Sequence, residues 1–269
     1  MDPTEFNRIA WNNIATSKSQ WFAPVDRDVI DAARSGDWSI RLTGTKPIPN
    51  SWIGDVVGKD VLCLAAGGGH QGPVLAAAGA RVTVLDFSEE QLSLDQRVAT
   101  ENGLKLQTVA GDMRDLSCFA DGSFDLIINP CSTNFCPDVL PVWREAFRVL
   151  RSEGALIAGQ INPVNYLFDA VAMERGEFVV RHGIPYSDWD LTAAEREQTL
   201  GPERPIDFGH TLEDLIGGQL QAGFQLTHFM EDRWGGDDPL SQKIATFFAT
   251  RAVRDSSLNC LQPGVTRDA

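Results

Sequence analysis

The sequence predicts a doubly wound α/β fold, with a seven-stranded, mostly parallel sheet flanked by helices on both faces. Three observations carry this expectation. Short apolar runs alternate with helical segments over residues 59–159, the first run ends in a glycine-rich loop, and two more runs close the chain at residues 224–230 and 244–252.

Residues 4–33 read as helical, with Phe6, Ile9, Trp11, Trp21 and Phe22 as the apolar contribution. Pro24 breaks the segment, because proline lacks the N–H a helix interior needs. The turn-rich stretch Thr43-Gly44-Thr45-Lys46-Pro47-Ile48-Pro49-Asn50 marks the edge of the main domain, so residues 1–50 are expected to form an N-terminal helical lid and linker. Val61-Leu62-Cys63-Leu64 is the continuous apolar run of a strand buried on both faces. A helix over residues 71–78, closed by Gly79, leads to a second strand, Arg81-Val82-Thr83-Val84-Leu85-Asp86. Ser88 stands at an N-cap position with Gln91 three residues on, opening a helix that ends at Asn102-Gly103. Residues 104–109 and 124–129 are strands three and four, and a helix over residues 139–151 precedes the fifth strand, residues 154–159. The rhythm then fails over about residues 162–209, read as an insertion over one rim of the sheet, and resumes with a helix at residues 211–222. Residues 51–255 make the principal domain, and residues 256–269 a flexible polar tail.

Composition narrows the function. With 43% hydrophobic and 22% charged residues, the chain can bury a sizeable core, and its apolar runs fall far short of the roughly 20 residues that span a bilayer. No basic region followed by an apolar run opens the sequence, so neither a signal peptide nor a membrane partner is expected. Cys63, Cys118, Cys131, Cys136 and Cys260 form no Cys-x-x-Cys pair, which suits reduced thiols in a cytoplasmic protein. The four histidines make no metal-ligand pair, and no metal is expected. Against 37 acidic side chains there are 23 basic ones and no run of them, so the net charge of −14 disfavours nucleic acid as a partner. A monomer or homodimer is expected.

The loop after the first strand is Ala65-Ala66-Gly67-Gly68-Gly69-His70-Gln71-Gly72. Glycines there let a ligand approach the backbone closely, and the next helix offers free N–H groups. Gly67, Gly69 and Gly72 meet the dinucleotide-binding spacing, and the same loop suits a turn over the methionine end of S-adenosylmethionine (SAM). Asp86 ends the second strand, where a carboxylate can accept both ribose hydroxyls of an adenosine. Both features are common to NAD and SAM sites. Gly111-Asp112-Met113 follows the third strand at the adenine end, with a carboxylate for the exocyclic amine and a thioether for the ring.

With that third piece the chain resembles the class I SAM-dependent methyltransferases, and among them the bacterial enzymes acting on small molecules. The resemblance covers residues 59–159 and rests on residues 61–69, Val84-Leu85-Asp86-Phe87-Ser88, Gly111-Asp112-Met113, Phe124-Asp125-Leu126-Ile127 and Phe147-Arg148-Val149-Leu150-Arg151-Ser152-Glu153-Gly154. Ala222-Gly223-Phe224 before the last strands is similar to the family's closing antiparallel hairpin. The resemblance implies a Rossmann-like methyltransferase fold, SAM as cofactor, and in-line transfer of its methyl to a small organic acceptor. It places the cofactor against Ala65, Gly67, Gly68, Gly69, His70, Asp86, Phe87, Asp112, Met113 and Asn129. Two departures stand out: Cys63 replaces an acidic residue of the family's first strand, and Ala65 replaces a glycine. An NAD(P)-dependent oxidoreductase shares the glycine pattern and Asp86, and a non-catalytic SAM-binding protein would suit the missing acid.

For the acceptor, the rim after the fourth strand supplies Pro130 and Ser132, and Trp11, Trp21, Tyr166 and Tyr186 supply apolar walls. Ser132 stands where enzymes that methylate base amines carry an aromatic platform, which speaks against a flipped base. A hydroxyl acceptor must lose a proton, and imidazole titrates near neutrality, so His182 and His210 are the candidate catalytic bases, with His70 in the cofactor loop.

Overall fold

The computed structural model describes residues 2–16, 23–192, 194–196 and 204–255. Two helices, α1 (Pro3–Thr16) and α2 (Arg27–Arg34), and a short turn, α3 (Asn50–Ile53), precede the alternating region. It runs β1 (Asp60–Leu64), α4 (Gln71–Ala77), β2 (Arg81–Asp86), α5 (Glu89–Asn102), β3 (Leu106–Ala110), β4 (Phe124–Asn129), α6 (Leu140–Val149) and β5 (Leu150–Ile161). After β5 come α7 (Ala170–Glu174) and a small pair, β6 (Tyr186–Ser187) with β7 (Phe208–Gly209). A π-helical turn, Glu213–Gly217, then enters α8 (Gly218–Gln221), followed by β8 (Gln225–Asp232) and β9 (Phe247–Val253).

Seven strands form one sheet in the order β3-β2-β1-β4-β5-β9-β8. The first five pair in parallel, and β9 pairs antiparallel to both β5 and β8. Alternation along β1 explains its unbroken apolar run: Val61 and Cys63 enter one core cluster, with Val74, Val84 and Ile128, while Leu62 and Leu64 enter the other, with Ile127, Trp143 and Leu156. The order reverses between β1 and β4, and a crevice opens at the carboxyl ends of strands at such a switch point.

The local signals worked as their chemistry demands. Ser88 accepts the Gln91 N–H at 3.1 Å and Gly103 closes α5 in the left-handed conformation, φ 63°. One boundary moved. β5 begins at Leu150 because Arg151 is pinned to Asp60 and Asp125 at 2.8 and 2.7 Å, which draws the chain into the sheet four residues early. The excess is taken up by a bulge, with Glu153 at φ 65° and a register jump between the pairs Phe124–Leu150 and Leu126–Ala155.

The turn-rich stretch before α3 is packed onto the sheet. Thr43, Thr45 and Lys46 converge on the buried Asp232 carboxylate, with Oγ1 and N–H donors at 2.7–2.9 Å. Leu42 lies so close over β5 that a Cβ on Gly159 would sit 2.1 Å from the Leu42 carbonyl oxygen. Across the carboxyl ends of the strands lies α1, held by Asn7. Its buried amide donates to the Phe135 and Ile206 carbonyls at 3.0 and 2.9 Å and accepts the Ile206 N–H at 2.7 Å. No helix among the described residues is long and apolar enough to cross a membrane. Of the sequence expectations, Trp21, Phe22, Cys260 and the tail 256–269 lie outside the described residues.

Candidate functional site

The crevice at the switch point holds a cavity of about 900 Å³, part of it continuous with solvent. The β1 loop contributes Ala65, Gly67 and His70, the end of β2 contributes Asp86 and Phe87, and the loop after β3 contributes Asp112 and Met113. Pro130, Cys131, Ser132, Phe135 and Cys136 form the wall beyond β4, and Thr4 and Trp11 of α1 close over it. Trp11 meets Phe135 edge-on, with ring centroids 5.0 Å apart.

The β1 loop owes its shape to two carboxylates. Asp86 Oδ2 accepts the Gly67 N–H at 2.9 Å, and Asp86 Oδ1 accepts the Ser88 N–H at 2.9 Å. On α5, Asp95 Oδ2 accepts the N–H groups of Gly68 and Gly69 at 2.9 and 3.1 Å. All three glycine donors are thus taken, and none remains for an anion. Gly67 is required by closeness: a Cβ there would lie 2.8 Å from Gln91 Cβ and 3.1 Å from Asp86 Oδ2. Burial, opposed only in part by backbone hydrogen bonds, pushes the Asp86 carboxyl up to about 6 and that of Asp95 up to about 7.

Asp112 is gripped by Arg114, whose Nε lies 3.1 and 3.0 Å from its two oxygens and whose Nη2 also donates to Thr4 Oγ1 at 2.9 Å. His70 is half-buried, and burial lowers its pKa, so the imidazole is neutral at pH 7. Burial raises the Cys131 and Cys136 thiols, the latter to about 12, which leaves both protonated and poor nucleophiles.

Other expected site residues lie away from the cavity. Gly68 and Gly69 turn their N–H groups inward to Asp95. Asn129 is fully buried and ties the end of β4 to β1 through the Leu64 carbonyl at 2.9 Å, and it holds Ser132 Oγ at 2.8 Å. Tyr166 and Tyr186 stack on each other at 5.3 Å and donate their hydroxyls to the half-buried Asp207 and the buried Asp188. His182 packs against Tyr186, and His210 is buried with Nε2 3.0 Å from the Thr133 carbonyl.

Asp95 and Arg114 had not been singled out from the sequence. A signal for Asp95 exists: it shares the buried stripe of α5 with Leu92, Val98 and Ala99, where a carboxylate needs a partner. Nothing in the sequence marks Arg114 apart from its place two residues after Asp112. Among the described residues, no group of three or more His, Cys, Asp or Glu side chains is placed to hold a metal ion.

A glycine cradle whose three N–H groups are taken by carboxylates, with a buried carboxylate at the end of β2, suits an adenosine ligand that carries positive charge. SAM, with its sulfonium and ammonium groups, is such a ligand. The profile of the family described as a methyltransferase domain matches residues 62–158. An uncharacterized methyltransferase of Bacillus subtilis, YbaJ, is 47% identical over 249 residues, covering 92% of this chain and 97% of its own length. A ubiquinone biosynthesis O-methyltransferase of Bordetella avium is 27% identical over 60% of this chain and 71% of its own. In fold, the chain is similar to the crystal structure of a SAM-dependent methyltransferase from Mesorhizobium loti, with a TM-score of 0.59 and 17% identity over 76% of this chain and 95% of that one. The Rossmann-like sheet, the match to the methyltransferase-domain profile and the likeness to YbaJ over 92% of this chain agree, and the chain belongs to the class I SAM-dependent methyltransferases.

Proposed function

We propose that this methyltransferase acts on a small organic acceptor held between the wall beyond β4 and α1, with residues 1–50 serving as a lid. The observation that carries the reading is the composition of that side of the cavity. Trp11, Pro130, Cys131, Ser132, Phe135 and Cys136 make it apolar and aromatic, with no lysine or arginine among them. A roofed pocket of this kind suits a compact acceptor better than a nucleic acid strand, which the net charge of −14 also repels. The name of the Bordetella avium relative, an O-methyltransferase of ubiquinone biosynthesis, supports the same class of substrate.

On the cofactor side, Asp86 would accept the ribose hydroxyls, Asp112 and Met113 would flank the adenine, and Ala65, Gly67 and His70 would face the methionine portion. SAM supplies an activated sulfonium methyl, so the protein's task is to align the acceptor, exclude water and accommodate a proton. Ser132 Oγ, which donates to the Pro130 carbonyl at 3.0 Å and accepts from the Asn129 amide at 2.8 Å, keeps one lone pair with which to orient the acceptor. His210 is spent on a backbone carbonyl and His182 on a ring contact. The neutral imidazole of His70, which lines the cavity, is the better placed proton acceptor.

The test is to incubate the protein with methyl-labelled SAM and three acceptor pools: small hydroxyl, amine and thiol compounds; nucleic acids; and proteins. Label is expected in the small-molecule pool alone, with turnover lost in Trp11→Ala. Label in nucleic acid or protein would overturn the reading.

A further inference from the structure

We infer that Asp95 is a positioning residue for the cofactor: reaching in from α5, it shapes the glycine loop for SAM and takes over the work of a carboxylate within β1. Gly67 and His70 line the cavity, while Gly68 and Gly69 between them do not. Whatever anchors the middle pair therefore sets where the outer pair stands. That anchor is Asp95 Oδ2, which accepts the N–H groups of Gly68 and Gly69. Close packing holds the same turn from behind, since a Cβ on Gly69 would meet Pro24 Cβ at 2.9 Å and Val98 Cγ2 at 3.1 Å.

Asp95 is fully buried, and its Oδ1 has no hydrogen-bond partner. A carboxyl kept inside a protein at that cost is kept for what its other oxygen does. Cys63, fully buried on β1, lies close enough for the Asp95 charge to add to the burial that raises its thiol. Cys63 holds the first-strand position at which the resemblance implies an acid, and in this chain the carboxylate that holds Gly68 and Gly69 comes from α5. Without Asp95 the buried Gly69 N–H would lose its acceptor and the Gly68 N–H would keep only the Gln91 carbonyl at 3.1 Å, so the loop would turn to find another. The inference concerns cofactor binding and holds whichever acceptor is methylated.

The experiment is titration calorimetry with S-adenosylhomocysteine on the wild type, Asp95→Ala, Cys63→Asp and the double variant, with unliganded melting curves as the control for folding. Asp95→Ala is expected to weaken binding by about tenfold or more. Cys63→Asp alone is expected to weaken it as well, because two carboxyls then compete for one pair of donors. The double variant is expected to bind more tightly than Cys63→Asp, a recovery that general loss of stability does not produce. A folded Asp95→Ala that binds within about twofold of the wild type overturns the inference. If Asp95→Ala does not fold, the comparison of Cys63→Asp with the double variant decides, and a double variant binding no better overturns it too.

Discussion

Thr4, at the start of α1, accepts a hydrogen bond from Arg114 Nη2 at 2.9 Å, and the same guanidinium holds both oxygens of Asp112. One side chain thus ties the helix across the crevice to the loop after β3. Arg114→Ala should free the first turn of α1 and leave Asp112 mobile. S-adenosylhomocysteine affinity should fall by about fivefold to tenfold. Hydrogen exchange over residues 3–16 should quicken. Arg114→Lys should restore little, since an ammonium cannot serve Thr4 and both carboxylate oxygens in one plane.

Asp86 offers its carboxylate to the cavity while burial holds it at about 6. Ribose hydroxyls donate to the ionised form, so cofactor affinity should rise as pH increases through that value and level off above it. Asp86→Asn should flatten the profile. Asp86→Ala should weaken S-adenosylhomocysteine by about a hundredfold, the loss of two charge-assisted hydrogen bonds. Calorimetry at a series of pH values measures both.

Asp95 gives a pH signature in the unliganded protein. Its carboxyl loses a proton near 3.8 when unfolded and near 7 when folded. Between these values the folded state binds the extra proton, so the group's contribution to stability falls as pH rises and is constant above the window. Asp95→Asn has no such proton. The melting temperature of the wild type minus that of Asp95→Asn should therefore decrease from about pH 5 to about pH 7.5. The buried histidines titrate in both proteins and cancel in the difference. A constant difference across that range would show that the folded carboxyl titrates elsewhere.

Asn7 is buried and joins α1 to Phe135 and Ile206 through three hydrogen bonds. Asn7→Ala leaves those backbone groups without partners, at a cost of about 1–3 kcal/mol. The loss should fall on α1 more than on the sheet. Limited proteolysis should cut near the N-terminus sooner, while the far-ultraviolet spectrum of the remainder stays unchanged.

The sheet was legible because its signals are local. Val61 to Leu64 read as a strand from apolar continuity, and Ser88 with Gln91 opened α5 as a cap must. The places of the glycine-rich loop after β1 and of Asp86 at the end of β2 were legible for the same reason, since both follow from the strands. What the sequence hid was partnership over distance. Asp95 belongs to the site only because α5 lies behind the glycine loop, 26 residues from Gly69 along the chain. Tyr166 and Tyr186 have the composition of pocket walls, yet each donates to an aspartate of its own layer, Asp207 or Asp188. Residue type alone cannot say which of two nearby demands a side chain will meet.

Many metabolites carry adenosine, and most of them are anions. The three successive glycine N–H groups are occupied before any of these arrives, two of them by a carboxylate that a phosphate would find repellent. Those occupied donors set this loop apart from a phosphate cradle, although Gly67, Gly69 and Gly72 have the spacing of one. The inward turn of Gly68 and Gly69 leaves the cavity face of the loop to Gly67 and His70.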